Sequence, residues 1–160
     1  MTDRNDQRDD VLEIRGCVFP KRFHYDVENH MWYEPLPGGL IRVGMTMVGP
    51  ALADYRIFAF TPKRVGRALE AQKSCATIES SKWVGPARIA FDGIVEAVND
   101  GLIDNPGRLV IDPYGAAWML VARPARVDAL AGLVTGDAMV DAYTRWLDEN
   151  DFAGCYPVVE

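Results

Sequence analysis

Thr77-Ile78-Glu79-Ser80-Ser81-Lys82-Trp83 decides how this chain is read. β-branched Thr77 and Ile78 favour a pleated strand, and the small polar residues before Lys82 favour a turn. Gly66 lies sixteen positions before Lys82 and Gly93 eleven after it, so two roughly symmetric strand-like segments flank the lysine, each ending at a turn glycine. The pattern predicts a β-hairpin with Lys82 at its tip. A lysine held out on a rigid hairpin is suited to carry a covalently attached arm.

Strand signals continue on both sides of this hairpin. Trp32-Tyr33 and Leu40-Ile41-Arg42-Val43-Gly44 flank Pro35-Leu36-Pro37-Gly38-Gly39, a second hairpin, with a further strand near Tyr25-Asp26-Val27. Thr46 to Ala53 reads as a short helical turn limited by Pro50, and Tyr55-Arg56-Ile57-Phe58-Ala59-Phe60 as a strand. Further strands are predicted over Ser74 to Ile78, Ala87 to Phe91, Gly93 to Val98 and Trp118 to Ala122. Short strands punctuated by turns favour a sandwich or flattened barrel over a parallel sheet. Gly101 to Pro106 reads as a short helix stopped by its proline. Val127, Leu130, Val134, Met139, Val140, Tyr143 and Leu147 recur at three- and four-residue steps, which predicts two C-terminal helices divided by Gly132 and Gly136, with Trp146 as a core anchor.

A length of 160 residues fits one domain. The net charge of −6 argues against nucleic acid, whose phosphates need clustered cations. No apolar run approaches the roughly 20 residues of a bilayer span, and the acidic start Met1-Thr2-Asp3-Arg4 lacks a signal-peptide core, so a cytoplasmic protein is expected. Cys17, Cys75 and Cys155 are widely spaced without a Cys-x-x-Cys pair, and free thiols are the expectation for such a compartment. Cys17 and Cys155 meet only if the termini pack together. His24 and His30 match no common metal-ligand spacing and are read as structural.

An unmodified exposed lysine is protonated at neutral pH and a poor nucleophile. Ser80-Ser81-Lys82-Trp83 supplies neither burial nor a neighbouring cation, which disfavours a Schiff-base enzyme. Acylation removes the charge and turns the side chain into a tether. The Met-Lys-Met of a biotin carrier is absent, Ser81-Lys82-Trp83 standing in its place. Glu79 either helps a modifying enzyme recognise the turn or pairs across the hairpin, and Trp83 either shields the arm or fills a groove. Asp112-Pro113-Tyr114-Gly115 reads as a turn and not as a catalytic carboxylate.

From about Tyr25 to Arg123 the chain resembles the H protein of the glycine cleavage system and its relatives. The resemblance rests on His30-Met31-Trp32, Val43-Gly44-Met45-Thr46, Val65-Gly66, Ala76-Thr77-Ile78-Glu79-Ser80-Ser81-Lys82, Gly93-Ile94-Val95-Glu96-Ala97-Val98-Asn99, Leu102-Ile103-Asp104-Asn105-Pro106 and Asp112-Pro113-Tyr114-Gly115-Ala116-Ala117-Trp118. It implies a mainly β, lipoyl-domain-like fold, a β-hammerhead or barrel-sandwich hybrid with short helices and C-terminal helices packed on the sheets. It further implies a carrier without an active site of its own, bearing lipoate in amide linkage to Lys82, with Glu79, Ser80, Ser81 and Trp83 forming the attachment loop. The expected division is a flexible tail over 1–15, a lipoyl-carrier β domain over 16–125 and a helical extension over 126–160.

The chain departs from the family at Trp83-Val84-Gly85-Pro86, stiffer and more apolar than the usual run, at Gln72 in place of a turn glycine, and at the basic Thr61-Pro62-Lys63-Arg64-Val65-Gly66-Arg67. With the leader Gly16-Cys17-Val18-Phe19-Pro20, these resemble a divergent branch, the lipoate-binding proteins of a heterodisulfide-reductase-like sulfur-oxidation pathway. That branch implies lipoate ligase or lipoyl-assembly enzymes, the heterodisulfide-reductase-like complex and sulfur-transfer proteins as partners. The alternative is the H protein itself, carrying an aminomethyl group among glycine decarboxylase, aminomethyltransferase and dihydrolipoamide dehydrogenase. An adaptor that keeps the fold without lipoate is the reading from another class.

Overall fold

Short antiparallel strands dominate the computed structural model, which describes residues 10–155. A seven-stranded sheet runs in the order β12-β3-β4-β5-β11-β10-β7. Its members are β3 (His24–Asp26), β4 (Met31–Pro35), β5 (Ile41–Met45), β7 (Ala68–Leu69), β10 (Gly93–Val98), β11 (Leu120–Pro124) and β12 (Val134–Thr135). A three-stranded sheet, order β6-β8-β9, holds β6 (Ile57–Pro62), β8 (Ser74–Ser80) and β9 (Val84–Arg88). The remaining pair is β1 (Val11–Ile14) with β2 (Cys17–Pro20). Helices α1 (Val48–Leu52), α2 (Asp100–Asp104) and α3 (Arg108–Ile111) are short, and α4 (Ala138–Glu149) is the one long helix among the described residues. The sheets stay open, so the expected lipoyl-domain-like layering is present without a closed barrel among the described residues.

Strand β4 separates two cores. Successive side chains of a strand point to opposite faces, and Met31 and Tyr33 enter one buried cluster while Trp32 enters the other. The first cluster takes Phe60, Ile78, Ile89, Val95 and Met119. The second is aromatic, with Phe23 stacked on Trp32 at 4.5 Å and Phe19 on Tyr143 at 4.4 Å. Burying side chains of this size stabilises the fold by roughly 1.5–3 kcal/mol each. Gly44 lies opposite Trp32 in the β4–β5 ladder, and a Cβ there would come within 2.2 Å of the indole. That close approach is what the Val43-Gly44 motif provides.

The Asp112–Gly115 stretch is the turn expected. Asp112 accepts the Ala116 N–H at 2.8 Å, the Pro113 carbonyl accepts the Trp32 indole N–H at 3.0 Å, and the Tyr114 hydroxyl donates to the Val18 carbonyl. Asn99 caps α2 and donates to the Ala116 and Trp118 carbonyls, tying β10 to the chain entering β11.

Several expectations are corrected. The tail does not extend to residue 15: Val11–Ile14 is strand β1, joined to β2 through Arg15 and Gly16 at φ 49° and 80°, the positive pair that a two-residue hairpin turn needs. The expected tail over residues 1–9 lies outside the described residues. The strand expected over Ala87 to Phe91 runs over Val84–Arg88 instead. Pro86 fits because β9 is an edge strand, where one missing N–H leaves no ladder bond unmade. Gly93 is no turn glycine; it opens β10, where a Cβ would meet the Arg123 carbonyl at 2.4 Å.

At the C-terminus one helix forms where two were expected. Gly132 and Gly136 take φ 88° and 56°, so residues 126–137 make turns and β12, and Val127 is fully exposed. Helix α4 buries Met139, Tyr143, Trp146 and Leu147 as its spacing predicts, while Val140 faces outward. The cysteines are not all thiols: Cys17 and Cys155 form a disulfide with Cα atoms 4.8 Å apart, and Cys75 is free and buried. Residues 156–160 of the expected extension lie outside the described residues.

Candidate functional site

The β8–β9 ladder ends at the pair Glu79 and Val84, leaving Ser80 to Trp83 to close the hairpin. The Ser80 N–H donates to the Trp83 carbonyl at 2.9 Å. The Ser80 hydroxyl donates to the same carbonyl at 2.9 Å and accepts the N–H groups of Lys82 and Trp83 at 3.3 and 3.0 Å. A serine oxygen satisfying three backbone groups fixes the turn in one shape, the local role small polar residues play at such positions.

A second segment clamps the tip from outside. After α1 the chain reverses through Asp54 and Tyr55, both left-handed at φ 51° and 61°. The Ser81 N–H donates to the Arg56 carbonyl at 3.2 Å, and the Ser81 hydroxyl to the Ala53 carbonyl at 3.4 Å. Asp54 reaches the Lys82 amine, Oδ2 to Nζ 3.0 Å. The lysine side chain is still 54% exposed and its partner 47%, so this is a surface ion pair at the end of the hairpin. Such pairs contribute about 0–1 kcal/mol, and opening one to free the amine costs little.

Each residue of the expected loop thus has a place. Lys82 is at the tip and exposed, Ser80 shapes the turn, and Ser81 docks it on residues 53–56. Glu79 is exposed beside Val84 and makes no ion pair among the described residues, which leaves its carboxylate open to a partner. Trp83 packs against the first core cluster, so it fills a groove and stiffens the base of the arm. The contact of Ala53–Arg56 with the tip had no local signal in the sequence, since the two meet across 28 positions.

Titratable groups elsewhere are structural. Burial lowers His30 to about 4, and its Nδ1 lies 3.0 Å from the Tyr143 hydroxyl. Burial also lowers His24. No group of His, Cys, Asp and Glu residues able to hold a metal occurs among the described residues. Burial pushes the Cys75 thiol up to about 12, so it stays protonated. Since exchange with a disulfide requires a thiolate, the buried Cys75 is a poor partner in such exchange. Among the described residues no helix is long and apolar enough to cross a membrane.

The family model for the glycine cleavage H-protein matches residues 24–145. The chain belongs to the glycine cleavage H-protein family. It is 36% identical over 142 residues to glycine cleavage system H protein 2 of Aquifex aeolicus, covering 88% of each chain. H protein 5 of the same organism is 42% identical over 119 residues, 72% of this chain and 79% of the relative, and H protein 3 is 33% identical over 143 residues, 87% and 88%. A crystal structure of an H protein from Mycobacterium marinum superposes with TM-score 0.67 at 27% identity, covering 83% of this chain and 99% of that one. Membership in this H-protein family supports a lipoyl carrier role. The sulfur-oxidation branch read from Trp83-Val84-Gly85-Pro86 gains nothing from these similarities, all of which carry the glycine cleavage name.

Proposed function

We propose that this protein is the lipoyl carrier of a glycine cleavage system, with lipoate in amide linkage to Lys82. The observation that carries the reading is an exposed lysine on the four-residue tip of a hairpin whose base is packed into the core. The residues fit such an arm: the amine is accessible, and the turn is held by bonds that do not involve the amine. When bound, lipoate supplies a dithiolane that opens and closes by thiol–disulfide exchange and accepts the aminomethyl group derived from glycine.

The chain's own residues position and do not catalyse. Ser80 and Ser81 hold the backbone of residue 82 in place, Trp83 roots the turn, and the Asp54 carboxylate loses its partner once the amine becomes an amide. Tethering raises the local concentration of the arm at each client, so glycine decarboxylase, aminomethyltransferase and dihydrolipoamide dehydrogenase are the partners this reading names. Lipoate ligase or lipoyl-assembly enzymes install the arm.

Protein produced with lipoate and a competent ligase should gain one lipoyl mass, located on Lys82 by peptide mapping, and restore glycine cleavage to an extract lacking its H protein. Lys82→Arg should fold and do neither. A folded, unmodified wild-type protein, or full activity of Lys82→Arg, refutes the reading. Three numbered H proteins from one organism among the relatives favour specialised carriers as a second reading. Complete lipoylation without glycine cleavage would point to that reading, with the heterodisulfide-reductase-like complex as the client to test first.

A further inference from the structure

The end of the hairpin sheet farthest from Lys82 carries a concentrated positive charge. Lys63, Arg64 and Arg67 line one depression of about 300 Å³ with Pro62. Lys63, Arg67 and Lys73 line a second of about 480 Å³ with Ala68, Glu70 and Ser74. The two adjoin through Lys63 and Arg67, and Glu70 is the one acidic side chain in either lining. None of these four cations belongs to an ion pair among the described residues, although seven other lysines and arginines do.

The loop bearing Lys63, Arg64 and Arg67 is built, and Lys73 stands on the turn before β8. The Lys63 N–H donates to the Cys75 carbonyl at 2.9 Å, the Gly66 N–H to Val95 at 2.8 Å and the Lys63 amine to the Ala68 carbonyl at 3.3 Å. Gly66 turns the chain at φ 89°, and Val65 stands 58% exposed between the cations. With Glu70 the patch sums to +3 in a chain of net −6, so the rest of the molecule carries −9. A charge separated in this way orients an approaching partner and raises its association rate.

We propose that Lys63, Arg64, Arg67 and Lys73, around Val65, form the docking surface for an acidic protein face on the client that serves the arm. The inference rests on the carrier reading. Strand β8 spans the seven residues between patch and tip, about 20 Å at 3.3 Å per residue, so a client gripping this end leaves Lys82 free to swing into an active site at that distance. A nucleic acid is the wrong occupant because the remaining −9 repels a polyanion that extends past the patch.

The test is the variant Lys63→Glu, Arg64→Glu, Arg67→Glu, with lipoylation completed by mass and an unchanged unfolding midpoint. In glycine cleavage reconstituted from the purified components, kcat/KM for the carrier should fall about tenfold or more at low salt, through KM and not kcat. Added salt should weaken the wild type and strengthen the variant, whose reversed patch an acidic face repels at low salt. Equal KM and equal salt dependence overturn the proposal. Poly-L-glutamate and duplex DNA serve as direct probes by calorimetry. Binding of the first, lost in the variant, supports an acidic protein partner; no binding, or tighter binding of DNA, overturns it. A wild-type carrier that is never lipoylated, or that transfers nothing, counts against the carrier reading, and the poly-L-glutamate measurement then decides the surface alone.

Discussion

His30 shows what one buried residue imposes on the molecule. It sits at φ 56°, edge-on to Trp146 with ring centroids 4.4 Å apart, and burial holds it near 4. An unfolded imidazole titrates near 6.5, so between those values the unfolded chain binds a proton that the fold refuses. Stability is therefore present above about pH 6.5 and lost as pH falls toward 4, by about 3 kcal/mol at 1.36 kcal/mol per unit. Urea unfolding of wild type should weaken from pH 7 to pH 5, and His30→Asn, a residue that tolerates the left-handed backbone, should show a flatter profile. Parallel profiles would place the acid sensitivity elsewhere. At this scale the sequence placed Lys82 at a hairpin tip, because strand and turn preferences are local. It could not reveal Asp54, whose role arises from a contact between segments 28 positions apart.

Elements were legible where their determinants are local. The β4–β5 hairpin, strands β6, β8 and β10 and helix α2 follow from alternation, Gly-Pro turns and a proline stop. The β1–β2 hairpin was hidden in a charged N-terminus, since its burial comes from the C-terminus: β1 packs by α4, and Cys17 meets Cys155. The second predicted C-terminal helix failed because its apolar residues serve a turn, with Leu130 on the first cluster and Val134 pairing with Tyr25. The disulfide closes a separation of 138 residues, for which loop-closure entropy gives an upper figure of about 5 kcal/mol, and 2–5 kcal/mol is usual on removal. The urea midpoint should drop on reduction, and Cys155→Ser should match the reduced wild type. A midpoint indifferent to reductant would deny the bridge any part in stability.

Over the whole molecule, the two cores divide the work. Ile57, Phe60 and Ile78 root the Lys82 hairpin in the first cluster, whereas the terminal hairpin and α4 belong to the second, beyond β4. The second core also takes Val48, Ala51 and Tyr55, so it reaches the tip through α1 and the clamp that follows it, and α4 lies outside that route. Trp146 contacts His30, Tyr143 and Phe152 in that core and is 8% exposed. Trp146→Ala should cost about 3–5 kcal/mol, read from the urea midpoint. Well below its melting temperature the variant should accept lipoate at Lys82 at the wild-type rate, followed by intact mass over time. Ile78→Ala, directly beneath the hairpin in the first cluster, should cost about 2–5 kcal/mol and slow lipoylation as well, because the strand that carries the turn loses its anchor. Equal slowing by both substitutions would mean that stability lost in either core reaches Lys82, and that β4 transmits strain between the cores instead of separating them.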